Sequence, residues 1–343
     1  MNKSCLIGFL MCSAFSLVVQ AATDGAHITK TISQIERKKG IKRTIQYRPD
    51  GNDFVCVNGK NRYTRALYGG ITDFRIETSD RPVFATYKPK DSKHICFRLQ
   101  CGNQSIALDS LKFCEARYRA GRRTYRLTDP LLGKGELNIS VLAFPDAEGG
   151  IWRFTMKDMP EGALLHCYIS EIRAKNLSRN GDMGADRADS FDAPQLPKEQ
   201  KHYKLSLDGT TAYIVVEDQE LRLPALVEGT SLYDKSEKWR SEIESSLQIS
   251  TPDPYFNPLG GALAAAADGI WDGKIWLHGA IGWRSQLNGW RAAYIGDFIG
   301  WHDRARTHFD SYAASQVTDV PATIPHPTQD TALHLARSVK KWG

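Results

Sequence analysis

Residues 44–57 have the sequence TIQYRPDGNDFVCV, in which two short runs of β-branched and aromatic residues flank a Pro49-Asp50-Gly51-Asn52 turn. Such a pattern is typical of a β-hairpin. It continues to about Leu226 with no long helical stretch between the runs, which favours a large antiparallel β-sandwich over a parallel sheet with crossover helices. The further strands predicted are Val83–Tyr87, Ile95–Leu99, Phe113–Arg119, Thr124–Leu127, Leu137–Ala143, Trp152–Met156, Leu164–Ile172, Tyr203–Ser206 and Ala212–Glu217.

The pattern changes to helical spacing near Thr230. A connecting helix is predicted over Thr230–Gln248, and the prolines that follow end one element and open the next. Two more helices are predicted, at Tyr255–Ile270 and at Trp290–Ser315. Asn176–Lys201 is predicted to be a long loop. The predicted division is a signal peptide (1–21), a lead-in (22–40), a β-sandwich domain (41–228), a linker helix (229–250) and the start of a helical domain (251–343).

The first 21 residues have the features of a Sec signal peptide. Lys3 provides a positive charge, Leu6–Val19 is apolar and too short to span a bilayer, and Val19-Gln20-Ala21 provides small residues before a cleavage site. A lipoprotein anchor at Cys12 is disfavoured by the bulky Met11 before it. The sequence therefore predicts a periplasmic or secreted protein with no membrane span.

Composition and motifs exclude several classes of protein. Among 343 residues, 45 Lys and Arg against 39 Asp and Glu give a net charge of +6, which does not indicate a nucleic-acid partner. The sequence has no GxSxG, HExxH, P-loop or complete GxGxxG motif, and we predict no cofactor and no metal. An odd number of cysteines follows the signal peptide. They are predicted to be buried thiols, with one disulfide at Cys96 or Cys101 left open.

Five of the eight tryptophans fall between Trp271 and Trp301. At 100° per residue, the predicted helix from Trp290 has one narrow polar and aromatic stripe beside a separate aliphatic face, which suits a helix that lines a cavity. The alternative is a core helix whose tryptophans fill space, with Asp297 and Arg304 as an exposed ion pair. The stripe consists of Trp290, Tyr294, Asp297, Trp301, Arg304 and His308.

Indole rings flanked by charged side chains suit sugars, which present C–H faces and outward hydroxyls. Glycoside hydrolysis commonly uses two carboxylates, so Asp272 and Asp297 are candidates for acid–base work. The predicted substrate-binding residues are Trp276, His278, Trp283, Arg284, Trp290, Arg291, Trp301 and His302.

The stretch Trp271–Arg304, with its Gly-Trp-Arg and Gly-Trp-His-Asp-Arg motifs, resembles the start of the catalytic domain of six-hairpin, (α/α)6-toroid glycosidases. The chain as a whole resembles the DUF4450 family of large secreted proteins of the Bacteroides type. This resemblance implies an N-terminal β-sandwich followed by a toroid. Because residues 251–343 hold only the first few toroid helices, the chain is expected to be an N-terminal portion, completed by a part encoded downstream.

The resemblance implies a secreted glycoside hydrolase that binds and, in complete relatives, cleaves a polysaccharide or oligosaccharide. It assigns no general acid in this chain. One alternative is a non-catalytic glycan-binding module. Another is a polysaccharide lyase, for which Tyr294, His302 and Arg304 are suitable residue types, although lyases have the toroid before the sandwich.

Overall fold

The first hairpin lies at residues 48–57. Strand β1 (Arg48–Asp50) pairs with β2 (Asp53–Val57), and Gly51 has a φ of 58° in the two-residue turn between them. The predicted turn is therefore present, although its first strand begins at Arg48, after the predicted run. The chain is described by a computed structural model over residues 46–88, 90–175, 177, 187–277 and 289–314, with 289–293 and 312 described by their backbone.

The remaining strands of these ranges complete two antiparallel sheets. They are β3 (Arg65–Tyr68), β4 (Arg75–Thr78), β5 (Val83–Tyr87), β6 (Lys93–Cys101), β7 (Gln104–Ala107), β8 (Phe113–Arg119), β9 (Arg122–Thr128), β10 (Glu136–Ala143), β11 (Gly149–Lys157), β12 (Leu164–Glu171), β13 (Gln200–Ser206), β14 (Thr211–Glu217) and β15 (Glu220–Arg222). One sheet has the order β1-β2-β8-β9-β10-β11-β14-β15. The other has the order β13-β12-β6-β5-β4-β3, with β7 beside β6.

The sandwich core is formed by alternate residues of the strands, whose side chains point to one face of each sheet. In β9, for example, Tyr125 and Leu127 are buried while Arg126 between them is exposed. Phe84 of the opposite sheet makes edge-to-face contacts at centroid distances of 5.6–5.8 Å with Phe97, Tyr125 and Trp152. The predicted sandwich-like pair of antiparallel sheets is thus present.

Four strands were absent from the prediction: β3, β4, β7 and β15. β3 and β4 lie in the segment after Asn58-Gly59, a dipeptide of the kind that forms hairpin turns. Instead the chain leaves β2 there and enters the other sheet, where β3 pairs with β4. Asn58 has a φ of 50°, and its side chain accepts a hydrogen bond from the backbone N–H of Cys114.

Helix α1 (Leu226–Ser245) corresponds to the predicted connecting helix and begins four residues before it. It lies on the outer face of the eight-stranded sheet, against β10, β11 and β14. Tyr233 packs there in a second apolar cluster, with its hydroxyl 2.6 Å from the hydroxyl of Ser140. Gly229 allows close approach, because a Cβ at this position would lie 2.3 Å from the Tyr213 ring.

Three further helices follow: α2 (Leu259–Asp268), α3 (Gly289–Phe298) and α4 (His302–Ala314). The single helix predicted over Trp290–Ser315 is therefore wrong. Gly300, with a φ of 88°, ends α3, while Trp301 N–H donates to the carbonyl of Gly296 at 2.7 Å and Gly300 N–H to that of Asp297 at 3.1 Å. This is a Schellman motif, which redirects the chain before α4 begins.

The cysteines of the described chain are free thiols, so the disulfide left open for Cys96 or Cys101 is not present. Burial raises the pKa of Cys96 to about 11 and that of Cys114 to about 12, which keeps both protonated at neutral pH. Across the described ranges no helix is both long and apolar enough to cross a bilayer. The predicted signal peptide lies outside these ranges.

Candidate functional site

A tight turn joins Trp271 to Trp276 and begins the tryptophan-rich segment. The two tryptophans form an antiparallel bridge, with ring centroids 4.7 Å apart. One carboxylate oxygen of Asp272 accepts hydrogen bonds from the backbone N–H groups two and three residues on, at 2.9 and 2.7 Å. Gly273, with a φ of 94°, completes the turn. Asp272, a candidate for acid–base work, therefore has a local structural task.

Trp276 lies at the centre of the segment that contains α2, α3 and α4, which we call the helical segment, and is 1% exposed. Its indole N–H donates to the carbonyl of Ala267 at 3.1 Å, and its backbone N–H donates to Nδ1 of the buried His308 at 3.1 Å. A Cβ at Gly296 would lie 2.1 Å from the indole ring, so only glycine fits against it. The predicted substrate-binding Trp276 is thus enclosed between α2, α3 and α4 and holds them together.

Arg304 of α4 forms an ion pair with Asp268 at the end of α2. Its Nη1 lies 2.7 Å from the Asp268 carboxylate, which is 6% exposed. Burial raises the pKa of Asp268, and the guanidinium opposes this change. The Arg304 guanidinium also lies 4.3 Å from the ring centroid of Trp301 and 5.6 Å from that of Trp271. These four residues form a cation–aromatic cluster, which we call the Arg304 cluster.

Beside the Arg304 cluster, Asp297 and His302 form an exposed pair across the turn between α3 and α4. Asp297 Oδ1 lies 2.7 Å from His302 Nδ1, and about two thirds of each side chain is exposed. The alternative prediction of an Asp297–Arg304 ion pair is therefore wrong, because each has a different partner. The Asp297 carboxylate and the His302 imidazole are both accessible to a ligand.

The predicted stripe is divided by the turn at Gly300. Tyr294 is exposed, while His308 is buried against Trp276. Trp290 and Arg291 lie in α3, where their backbone alone is described. The predicted binding residues outside the described ranges are His278, Trp283 and Arg284.

Asp268 was not among the predicted site residues. Its sequence signal is a single carboxylate at the end of the apolar, alanine-rich helix α2, where a charge needs a partner. That partner, Arg304, lies 36 residues later in the chain. Nowhere in the described chain do three His, Cys, Asp or Glu side chains lie together in a way that could hold a metal ion.

The fold and site define a mixed β/α protein with two antiparallel sheets and a helical segment built around tryptophans. Residues 89–216 match the model of the DUF4450 family, a domain of unknown function. The resemblance to this family is thereby confirmed over the strands from β6 into β14, a range that does not include the Arg304 cluster. A comparison with curated proteins finds no match.

Among solved structures, the chain is similar to a crystal structure of bacterial glucoamylase complexed with acarbose. The two are 10% identical, with a TM-score of 0.40. The similarity covers 76% of this chain and 53% of the other, so the chain spans about half the length of that structure.

Proposed function

We propose that the chain is an exported carbohydrate-binding protein of the glycoside hydrolase type, with a glycan site at the Arg304 cluster. The observation that carries the proposal is the guanidinium of Arg304 held over two half-buried indole rings and anchored by a buried carboxylate. Export rests on the signal-peptide pattern of residues 1–21.

The Arg304 cluster combines the two contacts that a sugar ring needs. Trp271 and Trp301 are partly exposed and provide apolar ring surface for C–H faces. Arg304 donates one N–H to the Asp268 carboxylate, and the other N–H groups of its guanidinium can donate to hydroxyl oxygens. Because Asp268 is buried and fixed at the end of α2, the cation is positioned before a ligand arrives, which lowers the entropy cost of binding.

Asp297 is the carboxylate best placed for acid–base work in this proposal. Asp268 is engaged by Arg304 and Asp272 by its own turn, whereas Asp297 is exposed and hydrogen-bonded to His302. Glycoside hydrolysis needs a second carboxylate at a set distance from the first. We propose that α2, α3 and α4 are the first helices of a toroid-like domain and that the second carboxylate belongs to later helices.

The binding proposal is tested with Trp301→Ala by affinity electrophoresis in gels that contain neutral polysaccharides. A stacked aromatic ring contributes about 0.5–1.5 kcal/mol, so binding should weaken about two- to thirteenfold. Phe298→Ala is the matched control, because Phe298 is an aromatic residue of the same segment, is 82% exposed and lies outside the Arg304 cluster.

Unchanged retardation of Trp301→Ala, or an equal loss in Phe298→Ala, would contradict the glycan site. Thermal unfolding of both variants separates a binding defect from a folding defect. Release of reducing sugar from the same polysaccharides, compared with Asp297→Asn, tests hydrolysis independently of binding.

A further inference from the structure

The outer face of the eight-stranded sheet has a groove of about 330 Å³, far along the chain from the Arg304 cluster. Strands β8 to β11 form its floor. The volume lies at the lower end of the range of about 300–1,000 Å³ typical of ligand pockets. Four arginines line the groove: Arg117, Arg122, Arg126 and Arg153.

The alternation of β9 accounts for much of this basic character. Its sequence, RRTYRLT, has Arg123, Tyr125 and Leu127 buried between the sheets. Successive side chains of a strand point to opposite faces, so the residues between them point outward. Arg122 and Arg126 therefore lie on the outer face with polar neighbours such as Thr124 and Asn138, which also line the groove.

Three of the four arginines have carboxylate partners. Arg117 pairs with Glu115 and Asp50, each at 2.8 Å. The other two pairs are Arg122 with Glu237 of α1 at 2.8 Å and Arg126 with Glu136 at 3.1 Å. These three cations are neutralised by the protein itself.

Arg153 differs from the other three. Its guanidinium lies over the Tyr233 ring, 3.9 Å from the centroid, and no carboxylate of the described chain lies within 4.0 Å of it. Its Nε is buried without a hydrogen-bond partner, as is Nε of Arg122 in the same groove. A half-buried cation without a counter-ion is unfavourable, and stacking on an aromatic ring offsets only part of that cost. An anion in the groove would supply the missing counter-ion.

We propose that this groove binds an acidic sugar, one that carries a carboxylate or a sulfate group, with Arg153 as its principal contact. The guanidinium fork matches the oxygen geometry of both anions. Thr124 and Asn138 provide hydrogen bonds for the hydroxyls of the same sugar. The proposal rests on the proposed carbohydrate function. It adds a second glycan site, on the sandwich, and narrows the expected ligands of that site to acidic sugars.

Arg153→Gln in the full chain tests the proposal. Binding to polygalacturonate, dextran sulfate and uncharged dextran is measured by affinity electrophoresis at about 0.15 M salt, which screens exposed charges. We expect the wild type to bind one acidic polymer and Arg153→Gln to bind it at least tenfold more weakly. A preference for polygalacturonate identifies the anion as a carboxylate, and a preference for dextran sulfate identifies it as a sulfate.

Arg98→Gln is the matched control. Arg98 is exposed on the other sheet, where it bonds to Ser105, and its replacement removes the same charge. We expect this variant to bind like the wild type. An equal loss in both variants overturns the proposal, because the attraction is then one of net charge alone. Failure of the wild type to bind either acidic polymer overturns it as well.

Two further measurements keep the outcome decisive. If Arg153→Gln unfolds, Arg126→Gln at the exposed rim replaces it and should weaken binding about threefold. If Arg126→Gln leaves the affinity unchanged, the proposal is overturned. The Trp301→Ala variant separates the two sites, since it should bind neutral glycans more weakly and acidic ones as the wild type does. If the wild type binds neutral polysaccharides but neither acidic polymer, the groove is rejected. If it binds an acidic polymer but no neutral polysaccharide, the Arg304 cluster is rejected.

Discussion

The two sheets and the helical segment bury their aromatic residues in different ways. In the sheets, Phe84 is one member of a continuous core to which every long strand contributes. In the described part of the helical segment, the buried apolar cluster consists of Trp276 and Ala305, with a few half-buried neighbours. Large apolar side chains of the same helices are exposed: Leu263, Tyr294, Ile295, Phe298 and Phe309. The sandwich thus has many redundant contacts, whereas the helical segment depends on one tryptophan.

The largest effect that would test this comparison is expected for Phe84→Ala. The ring is fully buried and contacts three other aromatic rings, so its loss should lower the free energy of unfolding by about 3–5 kcal/mol. Urea unfolding followed by far-UV circular dichroism measures this value. Phe298→Ala, at an exposed position, should change it by no more than about 0.5 kcal/mol. Comparable losses in both variants would remove the distinction between the two regions.

The sandwich could be predicted because its strands alternate buried and exposed side chains. β4 was missed because two of its four residues are charged, although all four, Arg75 to Thr78, are buried; β5 is just as buried, but its apolar and aromatic residues indicated a strand. Arg75 and Glu77 form an ion pair inside the protein, and Arg75 also lies 4.6 Å from the Tyr87 ring. Charged residues in a sequence indicate an exposed position, so a buried ion pair hides a strand from this kind of inference.

The candidate site was less predictable, because its geometry depends on distant parts of the chain. The helical period of the stripe continues through Gly300, and the sequence alone did not reveal that the chain turns there. The glycine was the available signal, since it is the residue that adopts a positive φ at a helix end. The pairing of Arg304 with Asp268 joins two helices and has no local signal in either.

Gly296→Ala should have the second-largest effect, confined to the helical segment. The added methyl group would meet the enclosed ring of Trp276 and displace it, at a cost of about 1–3 kcal/mol. Near-UV circular dichroism and limited proteolysis report on the tryptophan environment and on the release of the helices. Far-UV unfolding of the sheets should stay unchanged.

Gly209→Ala is the control for this prediction. Gly209 lies between β13 and β14, where a Cβ would meet its nearest atom at 3.9 Å, so the substitution should be tolerated. If Gly296→Ala instead shifts the unfolding of the sheets by the same amount as that of the helices, the two regions unfold as one unit and the comparison fails.

The smallest expected effect is a difference in pH dependence between the two regions. In the sheets, burial lowers the pKa of His94 and of His166 below the ordinary value of 6.5, with the neighbouring His202 lowering that of His166 further. The unfolded chain then binds more protons than the folded one just below pH 6.5. The stability of the sheets is therefore expected to fall as pH decreases through this range.

Asp268 should give the helical segment the opposite trend. Burial raises the pKa of its carboxyl group above the ordinary 3.8, so the folded state holds a proton that the unfolded state has lost. Its contribution is greatest below pH 3.8 and declines as pH rises through the raised pKa. Between pH 4 and pH 7, the stability of the sheets, followed by far-UV circular dichroism, should therefore rise with pH. The stability of the helical segment, followed by near-UV circular dichroism, should fall. Asp268→Asn should abolish the near-UV trend, and His166→Gln should reduce the far-UV one; parallel trends in the wild type would contradict separate electrostatic control of the two regions.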